Sequence, residues 1–352
     1  MALTVVSVAY PLAPVGLDAV GGAEQVLGSI DRALVRAGHR SIVVGCEGSR
    51  VAGELAVIPR RDGPLTEEVR RAAQADVRGI LEEVLRRERP DVVHFHGIDF
   101  ARCLPQRCAP TVATLHLPPG WYPPEVFTLP SRGVLLQCVS ESQRQACPAG
   151  AEIGAVIPNG VPLDALVPGE RRRRRTLVAL GRVCPEKGFH HALDAAHRAG
   201  ASLLIAGQVF GYETHERCFR DEILPRLDGR RRFIGPVGLE RKRRLLAGAR
   251  GLLVPSLAPE TSSLVAMEAL ACGTPVIAFR AGALPEIVEH GVTGFLVDDA
   301  REMAEAIARL DELDPAECRR AAERRFSAAL MTDRYLALYQ RLTRRRGERL
   351  LC

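Results

Sequence analysis

Short apolar runs alternate with helical stretches along the chain, and this alternation occurs twice. In the first half we predict strands at 3–9, 41–45, 91–95, 111–115, 134–139 and 155–157, with helices at 23–37 and 66–89 among the intervening segments. Continuous runs such as Val134-Leu135-Leu136 suit strands that are buried on both faces, as in a parallel sheet with helical crossovers. The pattern predicts an α/β fold.

The alternation pauses at 158–175, which is rich in proline, glycine and arginine and is predicted to be a linker that acts as a hinge. It restarts with predicted strands at 177–180, 202–206, 231–234, 251–254, 275–279 and 294–297, and a helical stretch at 302–346 that breaks at Pro315. Two such series predict two doubly wound domains that face each other across a cleft. Ligands of such domains bind beyond the carboxyl ends of the strands.

The length of 352 residues suits two domains, and no apolar stretch reaches the 18 residues that a membrane span requires. The first nine residues lack a basic leader and a signal cleavage site, so we expect a first strand and a cytoplasmic protein.

The 10 cysteines are scattered without a Cys-x-x-Cys pair, so we expect reduced thiols and no metal site. The sequence His94-Phe95-His96 offers two imidazoles, which we expect to point to opposite sides of a strand and not to share a metal ion.

Arginine is the usual cation of this chain: Lys187 and Lys242 are the only lysines among 48 basic residues. The run Arg171 to Arg175 has no interleaved aromatic residues, so we expect no nucleic-acid partner. A solvated linker is favoured for this run, while an acidic partner or a peripheral contact with an anionic membrane stays open.

Two carboxylates, Glu260 and Glu268, flank the start of a predicted helix that follows the strand at 251–254. We place Glu260 at the mouth of that helix and Glu268 two turns further along. Between them, Thr261, Ser262 and Ser263 offer hydroxyl and backbone N–H donors that suit a diphosphate. The alternative is a helix-capping Glu260 and an ordinary helical Glu268.

A second motif, Gly181-Arg182-Val183-Cys184-Pro185-Glu186-Lys187-Gly188, directly follows the strand at 177–180. It places two cations on one strand-to-helix loop, where an anion meets a doubly wound sheet, and its glycines permit close approach of the backbone. The alternative is a surface ion pair between arginine and Glu186.

Together these motifs resemble the retaining glycosyltransferases of family 4, which have the GT-B architecture, a Gly-Arg-x4-Lys-Gly loop and a Glu-x7-Glu motif. Further similar segments are Gly21-Gly22-Ala23-Glu24, Pro158-Asn159-Gly160-Val161, Phe233-Ile234-Gly235-Pro236-Val237, Gly273-Thr274-Pro275-Val276 and Gly282-Ala283-Leu284-Pro285-Glu286. The similarity is dense over 177–297 and looser over 1–160. Ser262-Ser263 stands where the family has Phe-Gly, which removes an apolar contact to the donor sugar.

The resemblance implies a role for each matching residue. Arg182 and Lys187 would stabilise the leaving diphosphate, Glu260 would meet the transferred sugar, and Glu268 would hold the ribose hydroxyls. His116 would lie at the donor sugar, although a histidine satisfied by its own loop is the alternative. The remaining predicted donor-binding residues are Gly21, Gly22, Ser262, Ser263, Leu264 and Val237.

The family architecture implies an acceptor-side Rossmann-like domain at 1–165, a donor-side one at 166–330, and a helix at 331–352 that packs back on the first. The implied reaction moves a sugar from a nucleotide diphosphate, UDP more than GDP, to an unidentified glycan, lipid or small-molecule acceptor without a metal or other cofactor. Trp121 and Tyr122 could form the floor of an acceptor pocket by stacking on a sugar, or they could anchor their own loop. A nucleotide-sugar epimerase, a phosphorylase and a non-catalytic sugar-nucleotide binding protein are the rival hypotheses.

Overall fold

The computed structural model of the chain describes residues 2–61, 63, 65–105, 109–169 and 175–351. It divides into two compact units, one formed by 1–159 with 329–352 and the other by 160–328. The boundaries inferred from the sequence were 165/166 and 330/331. Within the described part, no helix has both the length and the apolar content that a membrane span requires.

The first unit contains a seven-stranded parallel sheet in the order β3-β2-β1-β4-β5-β6-β7. Its strands are β1 (Thr4–Val8), β2 (Arg40–Cys46), β3 (Glu54–Ile58), β4 (Val92–Phe95), β5 (Thr111–Leu115), β6 (Val134–Cys138) and β7 (Ile153–Val156). The helices in this stretch are α1 (Gly22–Arg36), α2 (Glu67–Glu88) and α3 (Glu141–Gln145). Strand β3 is absent from the sequence-based prediction. It lies at the sheet edge and is largely accessible, so it lacks the apolar run of a central strand.

The second unit contains a six-stranded parallel sheet in the order β10-β9-β8-β11-β12-β13. Its strands are β8 (Thr176–Leu180), β9 (Ser202–Ala206), β10 (Arg231–Phe233), β11 (Gly251–Val254), β12 (Val276–Phe279) and β13 (Gly294–Val297). Its helices are α4 (Phe189–Arg198), α5 (Glu213–Arg217), α6 (Leu239–Gly248), α7 (Leu264–Ala271), α8 (Leu284–Ile287), α9 (Ala300–Ala308) and α10 (Pro315–Arg325).

Both faces of the second sheet are buried. Alternate residues of β8 enter different apolar clusters: Val178 and Leu180 pack on one face, Leu177 and Ala179 on the other. Burial on both sides explains the continuous apolar runs of these strands. In both units the strand order reverses beside the first strand, as it does in Rossmann-type sheets, so the predicted α/β class with two Rossmann-like domains is confirmed.

The segment predicted as a linker differs from that expectation. Leu166 is fully buried in the core of the second unit, and the guanidinium of Arg319 donates to the carbonyl oxygen of Ala271 at 2.8 Å and to that of Leu166. Residues 160–169 are therefore packed parts of the second unit. Arg171 to Arg174, most of the arginine run, lie outside the described residues.

The helical stretch near the carboxyl end is three helices rather than one broken helix. Pro315 begins α10, where its missing N–H costs nothing, and Asp314 caps that helix by accepting from the backbone N–H of Ala316. The last helix, α11 (Ala328–Leu351), belongs to the first unit from residue 329 onward. Tyr335 and Tyr339 of α11 are fully buried in that unit.

Candidate active site

The two charged motifs lie side by side in the second unit. The loop 181–188 follows β8, the loop 255–263 follows β11, and these two strands are neighbours at the point where the strand order reverses. The loops are joined, because the backbone N–H of Leu257 donates to the carbonyl oxygen of Glu186 at 2.8 Å. Gly188 has φ +60°, and a Cβ there would lie 2.2 Å from the carbonyl oxygen of Pro255. Glycine is therefore required for this close approach.

Lys187 and Glu260 meet across these two loops. The Lys187 Nζ donates to Glu260 Oε1 at 2.6 Å, and the Ser256 hydroxyl donates to the same oxygen. The Glu260 side chain is only 11% exposed, so the ion pair is largely withdrawn from water. The backbone of Glu260 is held from the next loop, where Ala283 N–H donates to its carbonyl oxygen at 2.7 Å. The carboxylate is thus held by Lys187 and Ser256, and the backbone of Glu260 by the loop that carries Ala283.

Glu268 is paired with the other lysine of the chain. It lies on α7 with a side chain 4% exposed, and its Oε1 accepts from Nζ of Lys242 on α6. Burial raises the pKa of Glu268, and the ammonium of Lys242 opposes that shift. Lys242 was not among the predicted site residues, although the scarcity of lysine was a signal that could have identified it. Each of the two lysines is therefore paired with one glutamate of the Glu260–Glu268 motif.

The turn before α7 differs from the expectation in one respect. Helix α7 begins at Leu264 with Ser263 as its N-cap, so Glu260 lies in the preceding loop and not at the mouth of the helix. Ser263 is buried, and Leu264 and Val237 pack against the core of the unit. The Ser262 hydroxyl oxygen is buried and has no hydrogen-bond partner among the described residues. A buried hydroxyl without a partner is uncommon and is available to a ligand.

Arg182 is exposed on the loop 181–188, which also carries Lys187. Burial lowers the pKa of His215, and the nearby Arg182 guanidinium lowers it further. At Glu186 burial acts to raise the pKa, but hydrogen bonds from its own backbone N–H and from the Cys184 thiol lower it, with a smaller contribution from Arg182. Both cations of the predicted diphosphate site thus lie on one loop, with Arg182 at its outer side.

In the first unit, Gly21 and Gly22 form the start of α1 after the long β1–α1 loop. Gly21 is the N-cap with extended backbone, and a Cβ there would lie 1.9 Å from a carboxylate oxygen of Glu24. The side chain of Glu24 thus folds back over Gly21 and is 7% exposed. A side chain at position 21 would therefore have to displace the carboxylate of Glu24, which is the flexible end of that side chain.

His116 lies at the end of β5 beside His96, which ends the neighbouring strand β4. The His96 Nδ1 and His116 Nε2 atoms are 3.0 Å apart, and the rings of His94 and His96 have centroids 3.9 Å apart. The prediction that His94 and His96 point to opposite sides is wrong, because residues i and i+2 of a strand share a face. Among the described side chains, these histidines do not form a group of metal-ligand geometry.

His94 is satisfied by a buried hydrogen-bond network that includes the last helix. Thr114 Oγ1 donates to Gln137 Oε1, so it accepts from His94 Nε2 at 2.6 Å. The other ring nitrogen, Nδ1, then accepts from the Tyr339 hydroxyl at 2.7 Å. Burial lowers the pKa of His94 and of His116 to about 3. These imidazoles are therefore neutral at physiological pH.

This neutral cluster predicts an acid-sensitive first unit. Each buried histidine has a folded-state pKa far below the unfolded value of about 6.5, so the unfolded chain binds more protons below that pH and stability falls. We expect His94→Gln to make the fall in unfolding free energy shallower by about 1.4 kcal/mol per pH unit between about pH 6 and pH 4. Urea unfolding across that range measures it. The exposed His197→Gln is the control, and an unchanged slope in His94→Gln would contradict the assignment.

The two aromatic residues after His116 have different settings. The Tyr122 hydroxyl is buried and accepts from the backbone N–H groups of His116 at 3.0 Å and Leu117 at 3.3 Å. Trp121 is 49% exposed. Tyr122 therefore anchors the loop that carries His116, and Trp121 is the one of the two with an accessible ring.

Comparison with known families gives matches over both halves of the chain. Residues 20–165 match the family model described as Glycosyltransferase Family 4, and residues 174–312 match the one described as Glycosyl transferases group 1. The D-inositol 3-phosphate glycosyltransferase of Mycolicibacterium smegmatis is 35% identical over 208 residues, which are 53% of this chain and 47% of that protein. The chain spans about half the length of the curated relatives it matches.

Solved structures match over nearly the whole chain. AviGT4, a glycosyltransferase involved in avilamycin A biosynthesis, has a TM-score of 0.70 and 27% identity over 97% of this chain and 98% of its own. HepE of Anabaena, solved with UDP and glucose, has a TM-score of 0.74 and 20% identity over 96% of this chain and 99% of its own. At that identity the second likeness shows the fold alone.

Proposed function

Because this chain belongs to the group 1 and family 4 glycosyltransferases, which have two Rossmann-like domains, we propose that it moves a sugar from a nucleotide diphosphate to an acceptor hydroxyl. UDP is the favoured donor base and GDP the second, and the anomeric configuration is retained. The observation that carries the proposal is the pairing of each lysine with one motif glutamate, with Lys187 on the same loop as Arg182.

The chemistry follows from where charge grows. As the glycosidic bond breaks, negative charge accumulates on the leaving diphosphate, and fixed cations nearby stabilise the transition state more than the ground state. In this proposal Arg182 and Lys187 supply those cations. A phosphate oxygen of the leaving group takes the proton of the acceptor hydroxyl, which attacks from the same face.

In this proposal Lys187 changes its ionic partner from Glu260 to the diphosphate when the donor binds. A bound diphosphate competes with the Glu260 carboxylate for the ammonium of Lys187. Loss of that partner leaves Glu260, still held by Ser256 and by its backbone, with an unpaired negative charge. In the proposal this charge faces the sugar as positive charge develops at its reaction centre.

Donor binding is predicted to depend on Glu268. In this proposal its carboxylate accepts from the ribose hydroxyls, a charged hydrogen bond worth roughly 1.5–3 kcal/mol. We expect Glu268→Gln to weaken the affinity for the nucleotide diphosphate by roughly 10- to 150-fold. Isothermal calorimetry below the unfolding temperature measures this, with Glu240→Gln, an exposed carboxylate on α6, as the control. Equal affinities of wild type and Glu268→Gln for the nucleotide diphosphate would contradict the proposal that Glu268 binds the ribose.

The base and sugar of the donor can be identified by ligand-induced stabilisation. A panel of UDP-, GDP- and ADP-sugars is added separately, and the melting temperature rises for those that bind the folded protein. The unpartnered Ser262 hydroxyl supports a polar contact to the donor, in place of the apolar contact of the family. The absence of a shift with every nucleotide sugar at millimolar concentration would contradict the proposal.

The acceptor belongs to the same proposal. The name of the relatives makes D-inositol 3-phosphate one acceptor to test, beside glycan and lipid hydroxyls. No nucleic-acid partner is proposed. A cytoplasmic location and a peripheral membrane contact stay predictions from the sequence.

A further inference from the structure

Three side chains of metal-ligating type converge where the loop 181–188 of the second unit meets α5. They come from two segments: Cys184 and Glu186 from the loop after β8, and His215 from α5. One ligand atom of each lies within 4.8 Å of the others, and no second group of this kind occurs in the described part of the chain. No sequence motif indicated this cluster, because His215 lies 31 residues after Cys184 and the three residues do not follow a paired zinc-ligand spacing.

The hydrogen bonds of this cluster are incomplete. The Nδ1 atom of His215 is buried and has no hydrogen-bond partner in the described structure. Cys184 is 3% exposed, and its thiol donates to the Glu186 carboxylate and makes a weak contact, 3.8 Å long, with the carbonyl oxygen of Arg182, so the unpartnered group of the cluster is the His215 imidazole. A buried ring nitrogen without a partner requires an explanation, and a bound ion is one of the accepted ones.

We propose that Cys184, Glu186 and His215 bind a zinc ion. A thiol, an imidazole and a carboxylate are the three ligand types that zinc takes in proteins, in sites that leave the fourth tetrahedral position to water. Hard cations such as Mg²⁺ select oxygen ligands, so the thiol argues against them.

The separations between the three ligand atoms are close to those of a tetrahedral zinc site. Tetrahedral bonds of about 2.0–2.3 Å place ligand atoms roughly 3.3–3.8 Å apart. Because the ligand atoms already lie within 4.8 Å of one another, they need to approach by at most about 1.5 Å when the ion binds. Glu186 is exposed, and its flexible side chain can supply that movement. Binding displaces the proton of the Cys184 thiol, which leaves to solvent, and forms the Zn–S bond.

A bound ion would link α5 to the loop that carries Lys187. Lys187 is one residue after Glu186, so a ligand bond at Glu186 limits the positions open to the ammonium. The zinc takes no part in sugar transfer in this inference. It stands independently of the proposed function, because zinc binding is measured without any donor or acceptor.

The test is a zinc titration of the full chain. Wild type, Cys184→Ser, His215→Ala and the control Cys218→Ser are stripped with a chelator, dialysed and titrated with Zn²⁺ while metal content is measured by atomic emission. Cys218 is a buried thiol three residues from His215 and outside the cluster. Cobalt is used as a second probe, because a bound thiolate gives Co²⁺ a charge-transfer band.

We expect about one zinc per chain in wild type and in Cys218→Ser, and an affinity at least about 10-fold weaker in Cys184→Ser and His215→Ala. The thiolate band of cobalt should vanish in Cys184→Ser and persist in the control. If Cys184→Ser does not fold, His215→Ala still decides the outcome, since its side chain is partly exposed. Wild type without bound zinc, or equal affinity in wild type and His215→Ala, would overturn the inference.

Discussion

Replacing Lys187 by alanine is expected to lower kcat for sugar transfer by roughly 10²- to 10³-fold while the affinity for intact donor falls much less. The reason is that charge on the diphosphate grows as the glycosidic bond breaks, so the ammonium contributes most in the transition state. Its Nζ atom lies 2.6 Å from Oε1 of Glu260, the residue that in our proposal faces the transferred sugar. Single-turnover kinetics with a saturating donor measure the effect on the chemical step.

Two further variants make this prediction specific. Lys187→Arg keeps the charge and should recover part of the rate, although a planar guanidinium does not match the position of a compact ammonium. Arg241→Ala removes an exposed cation on α6 and should leave kcat unchanged. An increase in KM alone for Lys187→Ala would show that this lysine only anchors the substrate in its ground state.

Replacing Lys242 by methionine is expected to destabilise the second unit by roughly 3–5 kcal/mol. The Glu268 carboxylate is 4% exposed and pairs with Lys242, so removal of the ammonium leaves a buried charge without its partner. The carboxyl group then avoids ionisation by a further rise of its pKa, which burial already raises. Urea unfolding at neutral pH measures the loss.

A double-mutant cycle separates this pair from simple loss of packing. Lys242→Met with Glu268→Gln removes both charges at similar volume, and we expect the double variant to recover most of the stability lost in Lys242→Met. Additive losses in the two single variants would contradict a coupled buried pair. In that case Lys242 would act through its methylene contacts alone.

The strand pattern of this chain was predictable because each central strand is buried on both faces. Twelve of the strands were predicted within two residues at either end, and the miss, β3, is an edge strand without an apolar run. The segment at 158–175 was harder, because its proline, glycine and arginine content is typical of a linker. The burial of Leu166 depends on α10, more than 140 residues later, and no local pattern contains that contact.

The candidate site residues could be predicted where they lie in segments directly after a strand. Arg182, Lys187 and Glu260 were predicted from the loops after β8 and β11, and Glu268 from the helix that follows the second loop; the structure joins Lys187 to Glu260. Lys242 was missed because its contact with Glu268 links two helices whose relative rotation is set by packing. The side chains of His94, in β4, and His96, directly after it, were misplaced because we applied the strand periodicity wrongly.

The central claim, transfer of a sugar from a nucleotide diphosphate, is tested most directly by acceptor-dependent release of nucleotide. Wild type and Lys187→Ala are incubated with each nucleotide sugar that raises the melting temperature, with and without candidate acceptors, and the released nucleotide diphosphate is measured. The account predicts saturable release by wild type that rises with acceptor, a product with the donor's anomeric configuration, and release at least about 100-fold slower in Lys187→Ala. Release that is equal in the two proteins, or absent with every donor that binds, would contradict it.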